Sequence, residues 1–181
     1  DSKEMLVARN LIQEKGFYKS VATKIIEILS RIEHKNVVDI GCGTGYYTSL
    51  VQNQFQNNVY GIDISKDALK IAARGNKEVT YIVASNNDLP IVDNSIDLVL
   101  NVFSPIYLDE AFRVLKDKGY ILVVSANENH LIELKEIIYD LIIKKEEDRN
   151  VLKEDNLSLV SEENVIAKIT LNNEDLNNLF R

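Results

Sequence analysis

Cysteine occurs once in these 181 residues, histidine twice and proline twice, and each scarcity closes off a class of protein. The single thiol, Cys42, has no partner for a disulfide within the chain, a usage that fits a reducing cytoplasm. Without a second cysteine or a neighbouring histidine, Cys42 reads as a small packing residue rather than a nucleophile or metal ligand. Glycine and proline are too sparse for a linker, a low-complexity tract or a repeat array. No apolar run approaches the roughly 20 residues that a membrane-spanning helix needs, and no signal peptide is visible. An excess of positive charge is also missing. The formal net charge is −7, the opposite of the basic footprint by which a domain grips nucleic acid unaided. The remaining composition, 45% hydrophobic and 27% charged, is ordinary for one globular domain with one sizeable core.

Hydrophobic periodicity then orders the chain. Met5, Leu6, Leu11 and Ile12 give a helix over 4–15, stopped by Gly16. Val21, Ile25, Ile28, Leu29 and Ile32 give a second over 19–33. Strands at 37–40, 59–62, 79–83, 96–102 and 119–125 alternate with helices at 46–55, 66–74, 107–115 and 130–145. Such alternation predicts an α/β, Rossmann-like fold with a mainly parallel twisted sheet and helices on both faces. The N-terminal helices fill 1–35, the core 36–145, and the tail 146–181. Within the tail, 157–160 and 165–171 alternate as a strand pair, and Asn172 or Asn173 caps a last helix.

In a parallel sheet the strands' carboxyl ends share one rim, and ligands bind beyond it where the strand order reverses. The run Val37–Val38–Asp39–Ile40–Gly41–Cys42–Gly43–Thr44–Gly45 is a buried strand entering a glycine turn at that rim. Its G-x-G-x-G spacing is not the G-x-G-x-x-G of dinucleotide folds. Glycine there takes backbone angles other residues avoid and admits a ligand close to the main chain. Asp63 ends the next strand, 22 positions after Gly41, where a carboxylate reaches the ribose of a nucleoside. Alternatively, Asp63 is a turn aspartate, and Asp39 a carboxylate bracing the glycine turn. Ser85 and Asn86 follow the third strand and either meet an adenine edge or close a polar loop. Asn101 ends the fourth, facing cofactor or acceptor. Phe103 is either a core residue or a platform for a base. Asp93, Asp97 and Asp109 read as turn or surface carboxylates, so no catalytic residue is assigned. The Lys116–Asp117–Lys118–Gly119 run makes the turn before the fifth strand.

The run D-I-G-C-G-T-G resembles the first motif of class I S-adenosylmethionine-dependent methyltransferases. More specifically, the chain resembles the 23S ribosomal RNA (guanine-N1)-methyltransferases. The shared segments are Asp1-Ser-Lys-Glu-Met5 with Ala8-Arg9, Gly16-Phe-Tyr18, Gly61-Ile-Asp-Ile-Ser-Lys66, Val83-Ala-Ser85 with Leu89-Pro90, and His130-Leu-Ile-Glu-Leu-Lys135 with Ile138-Tyr139. The glycine turn Gly41, Cys42, Gly43, Thr44 and Gly45 reads as the seat of the cofactor, and the resemblance implies that Tyr18, Gly43, Thr44 and His130 touch S-adenosylmethionine there. It also implies that Asp63, with Ile64 beside it, holds the ribose. Position 44 is often acidic in the family and is threonine here.

The family's small zinc-binding module is missing before Asp1, and its members run on past the point matching Arg181. The chain therefore reads as the core of a longer protein, with 23S ribosomal RNA as substrate partner and a homodimer compatible with the pattern. A methyltransferase for a small molecule, favoured by the acidic charge, and a cofactor-binding protein without catalysis remain as alternatives.

Overall fold

A computed structural model describes residues 2–126 and 157–179. The expected helix at 130–145 and His130 lie outside those residues. Elements appear in the order α1 (Lys3–Glu14), α2 (Lys19–Leu29), β1 (Asn36–Ile40), α3 (Tyr46–Phe55), β2 (Asn58–Asp63), α4 (Lys66–Gly75), β3 (Thr80–Val83), β4 (Ile96–Val102), α5 (Leu108–Val114), β5 (Leu115–Val124) and α6 (Asn173–Leu179). The five strands form one sheet in the order β3-β2-β1-β4-β5, with every pairing parallel. Order reverses between β1 and β4, so the glycine turn after β1 lies at the switch point.

Successive residues of β1 point to opposite faces, and both faces are covered. Val37 joins Leu98, Leu100 and Val59 beneath Ile25 and Leu29 of α2 and Val51 of α3. Val38 and Ile40 join Ile62 and Val99 beneath Ala111 and Val114 of α5. This double burial explains why β1 and β4 are rich in apolar residues on both faces rather than strictly alternating. No helix among the described residues is long and apolar enough to cross a membrane.

Three expectations shift. Helix α2 ends at Leu29, not at 33, because the Leu29 carbonyl accepts from the Ile32 amide and the His34 ring. Strand β5 starts at Leu115, with the expected Lys116–Gly119 turn lodged inside it as a bulge. Leu115 pairs with Ile96, the next partners are Tyr120 and Leu98, and Lys118 takes a left-handed φ of 61°. The C-terminal strand pair does not form: residues 157–171 carry no ladder. Period-two alternation makes a strand only where one side has a surface to bury against. Leu159, Val160 and Ile166 instead stand exposed. The last helix does form, and Asn172 is its cap, with Oδ1 accepting from the Asp175 amide at 2.8 Å. The Asp175 carboxylate pairs with Lys15, which fastens α6 to α1.

One knot was not foreseen from the sequence. The Arg113 guanidinium donates to the carbonyls of Leu89 (2.7 Å) and Ile91 (2.8 Å) and to the Glu110 carboxylate (2.7 Å). Glu110 in turn accepts from the Leu89 amide at 2.7 Å. Arg113 and that amide together hold the Glu110 carboxyl down at about 2. The long β3–β4 connection is thereby pinned to α5. Arg113→Met should lower the urea unfolding midpoint, because it removes the donor to two carbonyls and a carboxylate. Hydrogen exchange should show the loss of protection concentrated in residues 86–95.

Candidate functional site

Three left-handed glycines bend the chain out of β1: Gly41 (φ 76°), Gly43 (φ 55°) and Gly45 (φ 78°). Their surroundings differ. A Cβ on Gly41 would lie 1.9 Å from Ser104 Oγ, and one on Gly45 would lie 2.6 Å from the Tyr81 hydroxyl oxygen. Those two are glycine because the protein itself occupies the space. A Cβ on Gly43 would meet nothing within 4 Å. Open room thus stands over the middle of the turn, where a ligand can approach the backbone.

The turn's amides are mostly engaged. Gly41 and Cys42 both donate to the Ile62 carbonyl, at 2.8 and 3.0 Å, and Gly45 donates to Cys42. The Gly43 amide donates to Asp63 Oδ2 at 2.8 Å, while Asp63 Oδ1 accepts from Ser65 at 2.8 Å. Asp63 therefore faces the glycine turn across the β1–β2 boundary, half-buried. It is both the turn-bracing aspartate and the carboxylate at the mouth. Ile64 projects into solvent beside it. Cys42 is partly buried, and burial pushes its thiol well above the ordinary range, as expected of a packing residue.

Asp39 lies on the same sheet face as Val37 and meets α3. Its Oδ2 accepts from Thr48 Oγ1 at 2.6 Å. Burial first, and the nearby Asp63 charge after it, raise its carboxyl to about 7. Thr48 was not singled out from the sequence; a hydroxyl one turn into α3 on the sheet-facing side was the available signal. Thr44 is buried too, and its hydroxyl donates to Gln13 Oε1 at 3.1 Å, tying the turn to α1.

On the β4 side, Asn101 is fully buried and donates to the Ile40 carbonyl at 3.0 Å; its Oδ1 has no partner among the described residues. Asn86 crosses from the β3 loop to donate to Ser104 Oγ (3.2 Å) and to the Pro105 carbonyl (3.1 Å). Ser85 instead spends its hydroxyl on Asn87 in its own loop. Phe103 is not a core residue. It is 44% exposed and held at φ 54°, an unusual backbone for an aromatic residue. Its ring lies 6.0 Å from that of Tyr18 and 6.5 Å from that of Tyr47. Asp97 is structural, accepting from the Lys35 and Asn36 amides and from Lys116 at the opposite end of β4. No group of three or more His, Cys, Asp or Glu suited to a metal occurs among the described residues.

The arrangement is a glycine turn with open room over Gly43, a carboxylate on the adjoining strand tip, and an exposed aromatic ring, Phe103, beyond β4. The chain is similar to known methyltransferases. A profile for a methyltransferase domain matches residues 32–179. The chain is 33% identical over 140 residues to the 23S rRNA (guanine(748)-N(1))-methyltransferase of Streptomyces fradiae, covering 74% of this chain and 50% of that one. It is 30% identical over 134 residues to a malonyl-[acyl-carrier protein] O-methyltransferase of Hamiltonella defensa, covering 70% and 52%. A solved SAM-dependent methyltransferase from Aquifex aeolicus superposes with a TM-score of 0.50 at 24% identity, over 56% of this chain and 63% of that one. The chain spans about half the length of the curated relatives it matches.

The buried Asp39 carboxyl yields a signed expectation. Its folded pKa, about 7, lies above the unfolded value near 4, so the folded state binds the extra proton. Its contribution to stability is fully present below pH 4 and is lost as pH rises through 7. Asp39→Asn should flatten that decline, seen by comparing denaturant midpoints at pH 5 and pH 8.

Proposed function

The chain belongs to the methyltransferase-domain family, in the class I, S-adenosylmethionine-dependent branch, and on that premise we propose that it methylates guanine N1 in 23S ribosomal RNA. The observation that carries the cofactor half is the pairing of open room over Gly43 with Asp63 at 2.8 Å from the Gly43 amide. A nucleoside laid over the turn meets backbone without a Cβ and a carboxylate that accepts from ribose hydroxyls. Ile64 offers an apolar edge to the base, and Asn86 a polar one. Tyr18 approaches from the start of α2.

When bound, S-adenosylmethionine supplies an electrophilic methyl group on a sulfonium. The chain's own contribution is positioning. Phe103 presents an exposed ring at the β4 tip on which a purine stacks, with Tyr18 and Tyr47 tilted against it, and the left-handed backbone at Phe103 turns that ring outward. A guanine in a helix must leave its stack to reach this depth. The identity to the Streptomyces fradiae enzyme, together with the segments Gly16-Phe-Tyr18 and Gly61-Ile-Asp63, favours ribosomal RNA as acceptor. The acidic charge and the likeness to an O-methyltransferase acting on an acyl-carrier protein favour a second reading, methylation of a small or carrier-bound acid.

Labelled methyl transfer to unmodified 23S ribosomal RNA, to a panel of carboxylic acids and to no acceptor separates the two. Label in RNA supports the first reading; label only in the acids overturns it. Asp63→Ala should weaken S-adenosylmethionine binding at least tenfold by calorimetry and also lower the unfolding midpoint, because the Gly43 and Ser65 amides lose their shared acceptor. Gly43→Ala should do likewise at a folding cost of about 1 kcal/mol, since its φ is strained for alanine but its space is free. Unchanged affinity in both variants would reject the cofactor site.

A further inference from the structure

In a chain of net charge −7, positive groups that gather on one face call for a reason. They gather in the groove between α1 and α4. It encloses about 330 Å³, with Leu6, Val7 and Ile71 as an apolar floor and Lys3, Lys70 and Arg74 along its walls. Asp67 is the single carboxylate lining it, against those three cations. Lys66, Lys70 and Arg74 recur every four residues, so they stand above one another along α4. The Asp67 carboxyl is held below the usual range by its hydrogen bond to Lys70, with Lys3 and Lys66 adding to the pull. No carboxylate forms an ion pair with Lys3 or Arg74 among the described residues.

The helices that wall the groove are both tied to the glycine turn or to the strand tip facing it. Helix α4 starts at Lys66, three residues after Asp63, and the Ser65 amide between them is bonded to that carboxylate. Helix α1 carries Lys3 at one end and Gln13 at the other, and Gln13 touches Thr44 of the glycine turn. Ten residues of helix separate the two, about 15 Å.

We propose that the α1–α4 groove is a track for the phosphate backbone of the RNA substrate, with Lys3, Lys70 and Arg74 gripping the strand that flanks the target nucleotide. This rests on the reading of the protein as an RNA methyltransferase. The apolar floor takes sugar faces while the cations neutralise phosphates, so the contact is independent of sequence. It gives an acidic domain a local means of holding a polyanion without an overall basic surface.

The test uses the full chain and the double variant K3Q/R74Q, at two residues far from the glycine turn. A fluorescein-labelled, unmodified 23S ribosomal RNA fragment is titrated by anisotropy between 50 and 300 mM salt, and S-adenosylmethionine binding is measured alongside. The expected result is an RNA affinity about tenfold lower at 100 mM salt, a salt slope shallower by roughly 1.5, and unchanged S-adenosylmethionine affinity. Equal RNA affinity and slope in variant and parent, with the parent methylating the RNA, would overturn the track and leave the RNA reading standing. A parent that neither binds nor methylates the RNA would overturn both. Binding of polyglutamate with the same sensitivity to K3Q/R74Q would replace RNA with an acidic protein partner and so overturn the assignment.

Discussion

The rim of this protein is organised by one carboxylate. Asp63 ends β2 and accepts from the Gly43 amide with one oxygen and from the Ser65 amide with the other, each at 2.8 Å. The first bond fixes the glycine turn against its neighbour strand. The second fixes the start of α4. Two loops from different βα units are thereby set relative to each other through a group that is itself only half-buried. A carboxylate carries about four lone-pair sites, and two are spoken for, so it retains acceptor capacity toward the open side. An organising bond and a ligand-binding role are compatible in the same side chain because they use different lone pairs.

The glycine turn depends on the sheet in the same way. The Ile62 carbonyl accepts both the Gly41 and Cys42 amides, extending the β1–β2 pairing one residue into the turn. Ser104 fills the space beside Gly41, and Tyr81 the space beside Gly45. Only Gly43 is left with nothing opposite. The hollow is what remains after β2, β3 and the β4 loop have each claimed part of the turn. Its position follows from the switch of strand order between β1 and β4, which leaves no strand tip directly over that point.

Much of this was legible before any coordinates. Apolar-rich runs at 37–40 and 96–102 marked strands, and they pair with each other at the middle of the sheet. The glycine spacing and the placement of Asp63 located the rim, because both are consequences of local chain direction. What escaped was long-range or conditional. Arg113 pins residues more than twenty positions away, and a lone arginine in a helix announces nothing of the kind. Thr48 and Asp39 pair only because β1 and α3 pack in one register. The alternation at 157–171 was real but lacked a surface to bury against, so the same pattern that forms a strand elsewhere forms none here. Phe103 shows the reverse: an aromatic residue at the end of a core strand reads as core, yet the backbone reverses its direction and exposes the ring.

That reversal is held in place by the neighbouring strand. A left-handed phenylalanine is costly unless its surroundings hold it, and here the Phe103 amide is bonded to the Val124 carbonyl at 2.9 Å. The β5 strand therefore maintains the strain while Tyr18 and Tyr47 flank the ring. Stacking on an exposed ring needs no positive charge, so under the proposed reading base recognition at the β4 tip and charge neutralisation along α4 would be physically separate tasks. Carboxylates such as Asp63, which structure the glycine turn, then stand apart from the cations of the α1–α4 groove. On that reading the net charge of −7 would constrain where a nucleic acid lies rather than whether it binds.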